Sequence, residues 1–168
     1  FVNRKGNDNS SFSCFRALPE STRHKGADRD VEVKRGYMRS VPYLEASPGA
    51  DTARQALRVR QLYEDFDADY LVLDLRNSGI AIYDLLAKIM YDNERDVEYA
   101  PFTCMNDDII AARIQSAGAR PVIYAITASQ KINSEIALNF RESLSTGRIS
   151  FLPNINIAQD EILSNNPG

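Results

Sequence analysis

Asp74 has the setting that most invites chemistry. It lies in the apolar run Tyr70-Leu71-Val72-Leu73-Asp74-Leu75, and the polar turn Arg76-Asn77-Ser78-Gly79 follows at once. A carboxylate set among hydrophobic strand residues is costly unless it is paired, hydrogen-bonded or bound to a metal. Two readings are open on spacing alone. In one, Asp74 accepts from the amides of Asn77, Ser78 and Gly79. In the other it is a ligand for a divalent ion, since Mg²⁺ prefers carboxylate oxygens and keeps several waters. The expected position, at the carboxyl end of a strand, is where open α/β sheets gather ligands. The same turn could hold a phosphate through its amides and the dipole of the helix that follows.

Other chemistries are excluded by what the chain lacks. Its cysteines are Cys14 and Cys104 and its one histidine is His24, too few for a disulfide framework or a Cys/His zinc site. His24 lies in the charged stretch Ser21-Thr22-Arg23-His24-Lys25-Gly26 and reads as a solvated loop histidine. Cys14 reads as a small buried hydrophobe in a strand, and both thiols as reduced. Neither a G-x-x-x-x-G-K-[ST] loop nor a G-x-G-x-x-G turn is present, which argues against a P-loop or dinucleotide site in this stretch. Asp84 reads as a surface charge, and Asp107 and Asp108 as acids in the first turn of a helix, favourable to its dipole.

The 168 residues suit one domain, or one domain with an appendage, and 43% apolar with 26% charged is ordinary for a chain that buries a real core. No window approaches the roughly 18 consecutive apolar residues of a membrane span. The chain opens Phe1-Val2-Asn3 without a secretory leader and closes Asn165-Asn166-Pro167-Gly168, so it is expected to be cut from something longer. The net charge of −3 hides an asymmetry. Residues 1–60 carry 12 Lys and Arg against 7 Asp and Glu, whereas 61–168 carry 8 against 16. A basic first third could serve a phosphate backbone or be plain solvated charge. The acidic remainder suits a site that gathers divalent cations.

The elements that must position Asp74 follow from periodicity. Residues 11–18 and 37–45 alternate like strands, with Pro42 hinting at an edge or bulge, and 20–35 form a charged arm between them. Ser47-Pro48-Gly49 reads as a turn. Thr52 to Gln55 match a capping box. Ala56, Val59, Leu62, Tyr63 and Phe66 then stripe a helix. Residues 70–75 and 121–126 read as strands buried on both faces. Between them lie a helix buried through Ile82, Tyr83, Leu86 and Ile89 or Met90, a charged connection over 92–98, an irregular stretch through Asn106, and a short helix over 107–113. Ile132, Ile136, Phe140 and Leu144, four apart, stripe a helix that Gly147 stops, and a last strand spans 148–152. The order predicts an α/β fold with a mixed sheet flanked by helices, its antiparallel part first.

The stretch from Tyr70 to Leu86, with its strand-ending acid and Gly-containing turn into a helix, resembles the nuclease domain of large terminase subunits, the DNA-packaging motors of tailed bacteriophages. Asn3-Arg4-Lys5-Gly6-Asn7-Asp8-Asn9-Ser10-Ser11-Phe12 is similar to the loop and second-strand start that follow that family's first catalytic aspartate. Residues 131–136, with Phe140-Arg141 and Gly147-Arg148-Ile149, are similar to its later helix-strand segment. The resemblance runs from about residue 3 to residue 152 and implies a single, partial ribonuclease-H-like nuclease domain over residues 1–168. It further implies two-metal hydrolysis of double-stranded DNA with Mg²⁺ or Mn²⁺, two ions activating a water and steadying the leaving oxygen. Asp74 matches the family's second catalytic acid and metal ligand. Asp8 matches a supporting acid for metal or water, or is simply an Asx-turn residue.

The family's first catalytic aspartate is expected just before Phe1 and its last acid after Gly168, so this piece alone should bind metal poorly and cleave little. Arg76, Asn77 and Ser78 beside Asp74, and Arg4 and Lys5 beside Asp8, are the implied contacts to backbone phosphates. The resemblance also implies the portal protein and the small terminase subunit as partners, and the cytoplasm of an infected bacterial host as location. Two alternatives stand beside it. One is a non-catalytic ribonuclease-H-like module that binds nucleic acid or protein. The other is a phosphate- or nucleotide-binding α/β domain that uses the helix start at Ser78-Gly79.

Overall fold

A computed structural model of the chain describes residues 9–19, 37–48 and 51–151. In chain order these form β1 (Asn9–Pro19), β2 (Tyr37–Pro48), α1 (Thr52–Asp65), β3 (Leu71–Asp74), α2 (Gly79–Leu86), β4 (Met90–Asp92), β5 (Val97–Tyr99), β6 (Phe102–Cys104), α3 (Asp108–Ala111), β7 (Arg120–Ile126), α4 (Gln130–Ser145) and β8 (Ile149–Phe151). The fold is α/β, as expected. The chain divides into two compact units, one of residues 1–11 and 46–136, the other of residues 12–45 and 137–168.

In the first unit β3, β7 and β6 form a parallel sheet with β7 in the centre. Leu71 to Asp74 pair in register with Ile123 to Ile126. The sheet slips at Thr103 and Cys104, where a bulge shifts the register of β6. Beyond the bulge the ladder is completed by a side chain. Asn106 donates from Nδ2 to the carbonyl of Ala125 (2.9 Å) and accepts from its amide at Oδ1 (2.8 Å).

Helix α1 packs on α2, and α2 on β3. Ala56, Val59, Leu62 and Tyr63 supply the buried stripe of α1, while Ile82, Tyr83 and Leu86 supply that of α2. The α1 cap falls one residue earlier than the capping box predicts: Asp51 is the N-cap, its side chain accepting from the amide of Ala53. Phe66 and Ile89, both expected in the core, lie beyond the last helical turns and are exposed.

Two expectations about strands are corrected. Among the described residues the runs 70–75 and 121–126 are not buried on both faces. Ile123 is fully buried, but Val72 is 62% exposed and its register partner Tyr124 47%. The charged connection over 92–98 is a hairpin, in which β4 and β5 pair antiparallel around Asn93 to Asp96. The strands therefore spread over three sheets rather than one mixed sheet.

In the second unit the sheet order is β1-β2-β8, with β2 parallel to β8. Pro42 thus sits in the middle strand rather than at an edge. It is tolerated because the pairing to β8 covers Arg39 to Val41 and stops just before it. Cys14 on β1 is half-buried and Cys104 on β6 is buried, and neither is in a disulfide. Gly147, at φ +65°, ends α4 as expected. The predicted stripe of α4 is not core: Ile136, Phe140 and Leu144 are all exposed. The arm over 20–35, His24, Gly49 and the tail from Asn154 lie outside the described residues.

Candidate functional site

Asp74 ends β3 with its side chain exposed, on the same face of the strand as Val72. Three features of the turn that follows fix its position. The amide of Leu75 donates to the carbonyl of Ile126 (2.9 Å), which extends the β3–β7 ladder one residue past the aspartate. Asn77 adopts a left-handed backbone at φ +51°, a conformation asparagine tolerates better than most residues. Gly79 packs so tightly under the strand end that a Cβ there would lie 1.8 Å from the carbonyl oxygen of Asp74. No side chain fits at that position.

The carboxylate accepts at Oδ1 from the amide of Arg76 (3.1 Å), one residue ahead of the three amides expected. The amide of Gly79 donates to the carbonyl of Arg76 (2.8 Å) and is thereby withdrawn from any phosphate. Ser78 occupies the N-cap position of α2 without a side-chain cap bond. Arg76, Asn77 and Ser78 are all exposed beside Asp74, so the structure groups these four predicted residues. Arg4, Lys5 and Asp8 lie outside the described residues.

The neighbouring acids are committed elsewhere. Asp84 is held by Arg113 through paired bonds of 2.6 and 2.9 Å, and that hydrogen bonding pulls its carboxyl below the usual carboxylate range. Asp107 caps α3, accepting from the amides of Ile109 and Ile110, and Asp108 sits in the first turn as predicted. No group of three or more His, Cys, Asp or Glu side chains that could hold a metal exists among the described residues. The described residues therefore offer Asp74 as a single carboxylate, and they do not make a metal centre by themselves.

A second cluster escaped the sequence reading. Arg60, in the buried stripe of α1, is only 2% exposed. Its guanidinium carbon lies 3.5 Å from the ring centroid of Phe102 and 5.0 Å from that of Tyr99. Nη2 donates to Glu64 (3.1 Å), while Nε and Nη1 are buried with no hydrogen-bond partner among the described residues. Burial pushes the Arg60 pKa down; Glu64 opposes this, and the charge of Arg120 adds to it. Arg120 lies over the Tyr63 ring at 5.5 Å and donates to its hydroxyl at 3.4 Å.

Beside this cluster Asp92 is fully buried. Its Oδ2 accepts from Gln61 Nε2 (2.8 Å) and the Tyr99 hydroxyl (3.4 Å), and its Oδ1 from the amides of Glu94 and Arg95. The Gln61 bond leads the causes that pull the Asp92 carboxyl below its ordinary range. Arg95 in turn clasps Asp65 with bonds of 2.6 and 2.9 Å, tying the hairpin to α1. The available signal for this cluster was a charged residue at position 60, in register with Ala56 and Tyr63 on an otherwise apolar helix face.

No helix among the described residues is long and apolar enough to cross a membrane. In comparisons with known proteins the chain matches no family model, and neither a curated protein nor a solved structure shows significant similarity to it.

Proposed function

We propose that the chain is a ribonuclease-H-like nuclease domain of a terminase large subunit acting on double-stranded DNA, and that Asp74 supplies one carboxylate to its Mg²⁺ or Mn²⁺ centre. The observation that carries the reading is the placement of Asp74. It stands exposed at the carboxyl end of a parallel strand, held by one backbone amide and by a turn too tight for any residue but glycine at position 79. The resemblance of residues 70–86 to the family supports the same residue. Exposed Arg76, Asn77 and Ser78 would meet backbone phosphates without reading sequence. Because the described residues hold no second ligand, the remaining acids have to come from outside them, and Asp8 is one such residue. On this reading the portal protein and the small terminase subunit are partners, and the site of action is the cytoplasm of an infected bacterium.

The test is plasmid nicking with Mn²⁺ by the chain carried in a longer parent that supplies the further acids, beside its Asp74→Asn variant. Cleavage that Asp74→Asn abolishes, with folding intact, supports the reading. An intact plasmid, or a variant that cuts as well as the parent, overturns it. The solitary carboxylate favours one second reading, a non-catalytic module of the same fold. That module would retain DNA in the presence of EDTA, with no cleavage under any metal and no dependence on Asp74.

A further inference from the structure

Arg60, Glu64, Arg95, Val97, Glu98, Tyr99, Ala100 and Arg120 line a wide-mouthed, open cavity of about 390 Å³ in the first unit. α1 forms one wall, the β4–β5 hairpin another, and the first residue of β7 a third. Its volume falls in the range of small-molecule sites, about 300–1,000 Å³. Arg95 is already clasped by Asp65, but the other two arginines have spare donors. Arg60 is almost wholly buried with Nε and Nη1 unpartnered. Arg120 has no carboxylate within ion-pair distance among the described residues, and its one side-chain bond goes to the Tyr63 hydroxyl. Stacking on Phe102 attracts the Arg60 charge, yet a ring face gives in-plane N–H groups no lone pair. A buried cation with unmade hydrogen bonds is costly, and here a second guanidinium shares the same aromatic cluster.

We propose that this cavity binds a small organic phosphate. Arg60 and Arg120 hold the phosphate group, and Val97, Tyr99 and Ala100 face the remainder of the molecule. Arginine forks suit phosphate oxygens; Glu64 and Glu98 also line the cavity, so the phosphate has to replace Glu64 as the partner of Arg60. Entry requires one movement. Glu64, about 43% exposed, swings off Arg60 Nη2 and leaves the guanidinium fork to the phosphate. Val97 and Ala100, with the Tyr99 ring, give an apolar wall that inorganic phosphate does not need. The inference is independent of the nuclease reading, because none of these residues belongs to the Asp74 turn.

The experiment is thermal unfolding and titration calorimetry of the full 168-residue chain at fixed ionic strength. The probes are adenosine monophosphate, ribose 5-phosphate, inorganic phosphate and adenosine. At least one of the two organic phosphates is expected to raise Tm by mass action, more than inorganic phosphate does, with no shift from adenosine. Arg120→Met, at an exposed position, weakens binding by about tenfold or more, and Glu64→Gln tightens it. Arg60→Met is expected to fold, since methionine removes a buried charge whose Nε and Nη1 have no partner and leaves Glu64 half-exposed to water, and to lose the shift. Should Arg60→Met fail to fold, Arg120→Met and Glu64→Gln decide. The proposal is overturned by the absence of any shift from the organic phosphates, by equal shifts with inorganic phosphate or adenosine, or by undiminished binding in Arg120→Met. Binding of an oligonucleotide that needs Arg120, without binding of either small phosphate, also overturns it and makes the cluster a backbone contact.

Discussion

The α-carbon of Gly79 sits directly against the main-chain carbonyl of Asp74, with room for hydrogen and nothing larger: a Cβ would come within 1.8 Å of the oxygen. Strand end and helix start are thereby locked face to face. Gly79→Ala has no flexible side chain to push aside, only backbone. It is expected to cost about 1–3 kcal/mol or more, the range for overpacking, and to move Asp74 with it. Chemical denaturation measures the first effect. A crystal structure or backbone amide shifts of residues 74–79 show the second. An unchanged midpoint would mean that the turn is looser than described.

Acid stability follows from three carboxylates. Hydrogen bonding to Arg95 holds the carboxyl of Asp65 below its ordinary range, that of Asp84 is held down by Arg113, and Gln61 leads for Asp92. For a depressed carboxyl the unfolded chain binds more protons as pH falls. The stability is therefore fully present above the unfolded value, about pH 4, and is lost below it as the folded groups protonate. Tm is expected to stay flat from neutral pH to about pH 5 and then fall. Asp84→Asn should make the acid limb shallower, and an unaltered slope would remove Asp84 from the account.

Asp92 binds four donors with one carboxylate, and its two conservative replacements should part company. In Asp92→Asn the Gln61 amide can flip and the Tyr99 hydroxyl can rotate, so most hydrogen bonds are remade and Tm falls little. Asp92→Ala leaves Gln61 Nε2 and the amides of Glu94 and Arg95 without their acceptor, and Tm should fall by several degrees. Equal losses in the two variants would mean that the charge matters rather than the hydrogen bonds.

The unequal burial of Val72 and Ile123 makes a paired prediction. Val72→Thr, on the open face, should change stability by less than about 0.5 kcal/mol. Ile123→Thr, at a fully buried position in the adjacent strand, should cost about 2 kcal/mol or more. A large loss at Val72 in urea titrations would show that something covers that face in solution.

Much of the fold was legible in the sequence, and what was hidden has physical reasons. The apolar runs at 70–75 and 121–126 announced β3 and β7, because few other arrangements bury Val122 and Ile123. They could not announce that Val72 and Tyr124 face outward, since an apolar letter says what a side chain prefers and not what lies over it. The stripe Ile136, Phe140 and Leu144 misled in the same way: the period is helical, but nothing among the described residues buries it. The hairpin was masked by its charges. Glu94 and Arg95 sit in its turn and Glu98 on its open side, so three-residue strands held by a buried Asp92 read as a polar connection. Asp74 was visible because one acid interrupts an apolar run. Arg60 was not, because an arginine on a helix is ordinarily a solvated one.

Strand order in the first unit also sets an order of events. β3 and β6 never pair with each other; both depend on β7, and Leu71 finds its partner only at Ile123. During synthesis the chain therefore emerges with two unpaired strand edges that must wait for a third. Closing such a long loop is slow, and exposed edges in the interval are prone to pair with other chains. A stop or cleavage ahead of Arg120 would not trim this sheet but prevent it, since the strand removed is the one through which the other two are joined.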